Sequence, residues 1–272
     1  MKRPSGVALA SIAVLLGLWV PLGLVVANSL NADELLVGWG GFTTKWYGEA
    51  LGDARVRNSF FTSLEVAAVS TALAVAIALT AAMWARRASR RGRGMLDAST
   101  YMRIILPETV IAIGLFLLLR RFDVALGLAT VVIGHVVFNS AYATIVLQAR
   151  FATMTPDLEE AAADLGATPW RTFRRVTFPS ILPALIVASL LVFTFSLDNV
   201  VTSLFLGGTE TETLPVLLLG KIRIRVTPEV NAIGVLVMLA TTLLLAIAAV
   251  IFGLRSAAGS GPRRQSAGPG AA

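Results

Sequence analysis

No cysteine occurs in the 272-residue chain, and His135 is its only histidine. Disulfides and thiolate metal sites are thereby excluded. One imidazole falls short of the three or four protein ligands that a zinc site uses, so no metal and no cofactor is expected. Charge is scarce as well. Asp, Glu, Lys and Arg make up 14% of the residues, against about a quarter in soluble domains. The phosphate-loop pattern G-x-x-x-x-G-K-[ST] is missing, so the chain is not expected to hydrolyse ATP itself. No serine-nucleophile pattern accompanies His135, and no filter-like repeat marks an ion channel. The chain is therefore not expected to be an enzyme.

What the chain has in quantity is hydrocarbon. Hydrophobic residues make up 56% of it and the mean hydropathy is +0.77, values of an integral membrane protein. Six apolar runs stand out, at 7–26, 66–84, 104–119, 124–147, 181–206 and 232–254. A helix crosses the hydrocarbon core with about 20 residues, so the expected fold class is an all-α membrane protein with six transmembrane helices. The first run is too long for a signal-peptide core and no A-x-A site follows it, so it is read as an uncleaved span. Net charge is +7. With the amino terminus inside, the cytoplasmic segments hold 15 of the 23 Lys and Arg residues, most densely in ARRASRRGRG (85–94). That asymmetry places both termini in the cytoplasm and explains the basicity without nucleic acid, which is not an expected partner. Residues 1–255 are expected to form the membrane domain and 256–272, SAAGSGPRRQSAGPGAA, a disordered cytoplasmic tail. Outside, WGGFTTKWYGEAL (39–51) is expected to lie along the membrane surface, where Trp and Tyr are favoured.

The segment 150–180 is cytoplasmic in this orientation and is dense in helix signals. Thr155 can cap a helix with Pro156 at its first position and with Asp157 and Glu159 in its first turn. Leu158, Ala161, Ala162 and Leu165 then share one face, and Gly166 is placed to stop the helix in the left-handed region. Thr168-Pro169 starts a second short helix containing Trp170 and Phe173, which is expected to end before Pro179. Helices this short are not stable alone in water. The elbow either packs on its own bundle or docks in the groove of a partner.

Glu160-Ala161-Ala162, three residues, Gly166, nine residues and then Val176-Thr177-Phe178-Pro179 together resemble the EAA loop of the permeases of binding-protein-dependent ABC importers. That pattern ends in I-x-L-P; here Val and Phe stand for Ile and Leu. GFTTKWY (41–47), LPETVIAIGL (106–115), FSLDNVVTSLFLGG (195–208) and TPEVNAIG (227–234) are similar to segments of the spermidine/putrescine permeases within the same family. The resemblance implies the type I importer permease fold. It also implies that Glu160, Ala161, Ala162, Leu165, Gly166 and Pro179 couple the chain to an ATP-binding cassette subunit present in two copies. A second, different permease subunit would complete the path, and an extracytoplasmic solute-binding protein would deliver the substrate, all in the lipid of the cell membrane.

Two acids stand out within the apolar runs, Glu108 and Asp198. Ionisable groups in lipid are costly and face a pathway or a partner, and two acids at a distance suit a linear di- or tri-cation. Ser196 and Asn199 add hydrogen-bonding groups, and Phe195 adds a face for an ammonium. The polyamine permeases read P-D and S-M-D-D where this chain has Pro107-Glu108 and Ser196-Leu197-Asp198-Asn199. One acid is thus kept in type and another is replaced by Asn199. These five residues are the expected substrate path for a polyamine or a similar small cation. The other readings are that the two acids pair with the partner permease, or that a permease of this kind carries ferric iron, thiamine or a phosphonate. His135 and Asn139, both mid-span, are expected to hydrogen-bond between helices.

Thiol labelling checks the orientation, and the absence of native cysteine gives a clean background. Ser89→Cys is expected to resist a membrane-impermeant reagent in intact cells, and Gly207→Cys to react. The reverse pattern would invert the topology.

Overall fold

The structure, a computed structural model, describes residues 6–155 and 157–259. Lys2, Arg3, Pro156 and residues 260–272, with Arg263 and Arg264, lie outside the described residues. Twelve helices follow one another: α1 (Gly6–Ser29), α2 (Lys45–Gly52), α3 (Ala54–Arg87), α4 (Arg90–Ile105), α5 (Glu108–Arg121), α6 (Leu128–Ala152), α7 (Asp157–Asp164), α8 (Pro169–Thr172), α9 (Phe178–Leu197), α10 (Val201–Leu206), α11 (Leu214–Ile224) and α12 (Pro228–Gly259). Among the described residues the only β-type pairing is a single bridge between Asn31 and Phe42. The chain divides into two compact units between Val235 and Leu236, inside α12; the second unit begins with the carboxy-terminal part of that helix.

The core of the first unit is built by α3, α6 and α9. Small residues recur on one stripe of α3, where Ser59, Ser63, Ala67, Ser70, Ala74, Ala78, Ala82 and Ala85 are all buried. Small side chains let helix backbones approach closely, and in lipid such packing takes over the role that hydrophobic burial plays in water. Ala143, Leu147 and Phe151 of α6 and Ile181, Ala188 and Val192 of α9 pack against this stripe. α6 is the hub, with 61% of its apolar stretch buried, whereas the most apolar part of α1 buries 0%.

Among the described residues, four helical stretches are long and apolar enough to cross a membrane, and α4 with α5 makes a fifth if its two arms count as one span. The expected run 104–119 is not a straight helix. α4 and α5 meet at 105° because Pro107 lacks an N–H and pushes Leu106 out of the helical region, to φ −66° and ψ 134°. The run 181–206 is also interrupted, between Leu197 and Val201. The sixth expected run falls within α12, which continues to Gly259 and so enters the stretch expected as tail.

The segment after α1 differs from its expectation too. Asp33 accepts from the N–H groups of Leu35, Val37 and Gly38 at 2.9–3.1 Å, and these donors, Gly38 first, hold its carboxyl below the usual range. Trp46 is 4% exposed and its indole donates to the Asn31 carbonyl at 2.8 Å. A buried indole N–H needs such a partner, so Trp46 is an internal wedge rather than a surface anchor; Trp39 stays exposed. Ion pairs respect the expected sides. Arg55–Glu212, Lys221–Glu229 and Arg225–Glu34 join residues assigned outside, and Arg86–Glu159 joins residues assigned inside.

Gly134 admits α10 against α6. A Cβ there would stand 2.4 Å from Thr202 Cγ2 and 2.5 Å from Leu206 Cδ1. Overpacking of this kind costs roughly 1–3 kcal/mol. Gly134→Ala is therefore expected to lower the melting temperature of the detergent-purified protein by several degrees, and unchanged melting would show that α10 is not tightly seated.

Candidate functional site

Both helix breaks carry one of the expected acids, and the breaks meet. Glu108 stands in the first turn of α5, directly after Pro107. Its Oε1 accepts from Thr202 Oγ1 at 2.7 Å and from the Asn199 side-chain amide. Asn199 Oδ1 in turn accepts the Thr202 N–H at 2.9 Å. Short polar side chains that bond nearby backbone compete with the helix ladder, and here the competition ends α9 and starts α10. A carboxylate, an amide and a hydroxyl thus buckle the two interrupted helices together.

Asp198 takes no part in the buckle. It is the C-cap of α9 (φ −90°, ψ 1°) and is exposed, and its carboxylate has no hydrogen bond or ion pair among the described residues. Phe195 is 38% exposed and meets Tyr142 edge to face at 5.0 Å between ring centroids; Tyr142 meets Phe138 at 5.4 Å. Ser196 turns the other way, into the core. Its hydroxyl lies 2.6 Å from His135 Nδ1 and 2.9 Å from Ser70 Oγ. Of the five expected path residues, the structure joins Glu108 to Asn199, leaves Asp198 and Phe195 accessible, and buries Ser196.

His135 does link helices as expected, through Ser196 of α9 and Ser203 of α10. Asn139 does not. It is fully buried, and neither atom of its amide has a hydrogen-bond partner among the described residues. One turn on from Ser70 and Ser196, the facing stripes present Ala74 and Val192, which have no polar atom to offer.

The second part of the site is the elbow. Leu158, Leu165 and Trp170 are 63%, 90% and 69% exposed, and Glu160 and Ala161 are exposed beside them while Ala162 is half-buried. Gly166 has φ +76°, as expected of a left-handed helix stop. Ala167 N–H donates to the Ala162 carbonyl at 3.0 Å and Gly166 N–H to the Ala163 carbonyl at 2.8 Å, the paired bonds of a Schellman ending. Thr168 caps α8. The chain does not leave the helix before Pro179, contrary to expectation. It widens into a π-turn over Phe173–Thr177 and runs directly into α9. Pro179 has no N–H for the Arg175 carbonyl, and its ring crowds that carbonyl. A wider turn carries the chain through.

Sequence reasoning missed the residue that anchors this elbow, Glu159. Arg86, at the end of α3, grips its carboxylate with two bonds of 2.9 Å, and Thr177 Oγ1 donates to it at 2.6 Å. These donors, Arg86 first, hold the carboxyl below its ordinary 4.5. No local signal marks the contact, because Arg86 lies 73 residues away in sequence. With Glu159 turned inward, the neighbouring acid Glu160 is left outside. A groove of about 880 Å³ opens between the end of α3 and the elbow, lined by Met83, Trp84, Trp170 and Phe173 among others.

Residues 74–257 match the family described as binding-protein-dependent transport system inner membrane component. The chain belongs to this family. The putrescine transport system permease protein PotI of Escherichia coli K12 is 34% identical over 228 residues, which cover 81% of each chain. The spermidine/putrescine transport system permease protein PotC of the same strain is 29% identical over 231 residues, 85% of this chain and 87% of that one. Among solved structures, a bacterial ABC transporter that imports the acidic polysaccharide alginate aligns with a TM-score of 0.67 at 14% identity, over 89% of this chain and 94% of that one. The MetNI methionine ABC transporter aligns at 0.61 and 17% identity, over 71% and 93%. The fold is that of a type I importer membrane subunit, and the permease is a multi-pass inner-membrane protein whose family works with a binding protein.

The Arg86–Glu159 pair is bidentate and only partly exposed, so it contributes about 1–2 kcal/mol. Glu159→Gln is expected to speed amide hydrogen exchange across residues 157–167 of the purified permease by roughly five- to thirtyfold. The pH dependence follows from the lowered carboxyl. Its contribution is complete above about pH 4.5, the ordinary value, and is lost as pH falls through the lower folded value. Exchange that is unchanged in Glu159→Gln would remove the pair as the anchor.

Proposed function

We propose that the permease forms part of the translocation path for a polyamine, putrescine or spermidine, or a similar small cation, delivered by an extracytoplasmic solute-binding protein. The observation that carries this reading is Asp198. It is an accessible carboxylate with no partner of its own among the described residues, set at the helix break that follows the partly exposed Phe195. Such a group attracts a cation and repels an anionic solute. The substrates named for the PotI and PotC relatives agree with that sign.

Glu108 has a different role in this reading. Two donors engage it, so it holds the break rather than waiting as a second free acid, and Asn199 keeps it there. Ser196 supports the break from the core side. The power stroke enters through the elbow. Glu160, Ala161, Leu165 and Gly166 present a rigid, partly apolar knob with Ala162 packed behind it, and Pro179 carries the helix into α9. The knob docks in a groove of an ATP-binding cassette subunit. Two such subunits and a second, different permease complete the transporter, and closure of the ATPase dimer rocks the helices as rigid bodies. Six spans with both termini inside remain the arrangement of the chain in this reading.

The test is uptake of labelled putrescine and spermidine by vesicles containing the reconstituted transporter. A charge-assisted hydrogen bond is worth roughly 1.5–3 kcal/mol, about tenfold to more than a hundredfold in an equilibrium constant. Asp198→Asn is expected to lower uptake by at least about tenfold without lowering the melting temperature, because nothing in the fold leans on its charge. Glu108→Ala is expected to lower both, because it removes the acceptor of two bonds. Wild-type uptake by Asp198→Asn would remove Asp198 from the path. Transport of neither polyamine by the wild type would overturn the substrate.

A further inference from the structure

His135 is the one histidine, and it is completely buried. Its Nδ1 lies 2.6 Å from Ser196 Oγ and its Nε2 lies 3.1 Å from Ser203 Oγ. Ser196 is in the last turn of α9 and Ser203 is in α10, so the ring bridges the break that carries Asp198 and Asn199. In an unbroken helix, residues seven apart stand about 10.5 Å apart along the axis, more than one ring and its two hydrogen bonds can span. The two hydroxyls reach the same imidazole only because the helix is interrupted and turned. A neutral imidazole has one donor and one acceptor, which suits two hydroxyls on opposite sides.

The neighbouring residues of α6 seat the same short helix. Thr130 Oγ1 donates to the Leu206 carbonyl at 2.7 Å, and Gly134 clears space for Thr202 and Leu206. Ser70 of α3 holds Ser196 from behind at 2.9 Å. Both arms of the break are therefore fastened at the ring, whereas the Asp198 carboxylate between them has no partner among the described residues. Its direction is set by the backbone that the arms hold.

We infer that His135 is a positioning residue: its imidazole clamps the two arms of the α9–α10 break and so fixes the direction in which Asp198 is presented to the transported cation. The inference rests on the reading of Asp198 given under Proposed function.

Two measurements separate the clamp from that reading. The first is a double-mutant cycle in polyamine uptake by the reconstituted transporter. His135→Ala is expected to reduce uptake by about tenfold, one 1.4 kcal/mol step, and His135→Gln, which keeps a donor and an acceptor, to restore most of it. In an Asp198→Asn background His135→Ala is expected to add no further loss, because residues acting through one another are not additive. The second measurement needs no substrate. The labelling rate of Asp198→Cys by a polar thiol reagent is expected to change several-fold with His135→Ala and to return with His135→Gln. If His135→Ala does not assemble, Ser203→Ala removes one arm of the clamp and must change labelling at position 198 in the same way. Additive losses, or labelling at 198 indifferent to both His135 and Ser203, would overturn the clamp while leaving Asp198 as the cation's carboxylate. Wild-type uptake by Asp198→Asn would instead overturn the carboxylate's role, and the labelling would then be the measure of the clamp.

Discussion

A helix interrupted inside an apolar stretch releases backbone groups that lipid cannot satisfy, so the protein must satisfy them itself. This chain does so twice, and it uses each break to close the other. The arm after Pro107 presents Glu108, and the arm after Asn199 presents Thr202; the carboxylate, the amide and the hydroxyl lock together. The far end of α10 is met by Thr130. Glu108, Asn199, Thr202 and Ser196 are all consumed by this closure, which is why Asp198, whose carboxylate has no partner among the described residues, draws notice.

α3 connects the regions that matter. At 34 residues it is about 51 Å long at 1.5 Å per residue. Asp53 caps its outer end and lies 3.6 Å from Lys221. Ser70 touches the α9 break through Ser196, and Arg86 holds the elbow through Glu159. Its small-residue stripe keeps it pressed on α6 and α9 along most of that length. A displacement at the elbow is therefore delivered to a rod that already contacts the break, and no flexible link intervenes along the rod.

The helical membrane architecture and the Gly166 stop were legible in the sequence because they rest on local rules: runs of apolar residues, charge asymmetry, and a glycine where only a left-handed residue ends the helix. The bend at Pro107 was also written locally, yet the apolar run concealed it, since hydropathy has no term for direction. Trp46 shows the same limit in another form. Composition suggested an interfacial aromatic, and the fold supplied the Asn31 carbonyl that drew it inward. The candidate site was legible only as a set of residue types. Glu108, Asp198, Asn199, Phe195 and Ser196 were all visible as polar or aromatic groups in or beside apolar runs. Which of them would be spent on one another depended on Thr202, Ser70 and His135, whose partners lie 61 to 126 residues away. Glu159 and Glu160 are adjacent, identical in type and opposite in fate for the same reason.

The π-turn at Phe173–Thr177 bears on descent. A wide turn of this kind is what one residue inserted into an α-helix leaves behind. Deleting a residue there would tighten the turn and rotate the elbow by about 100° about the helix axis, at 3.6 residues per turn. Glu159 would then swing off Arg86. An exchange of an exposed side chain between Gly166 and Pro179 leaves that angle alone, whereas a change in the number of residues between them turns the elbow, because here length sets angle.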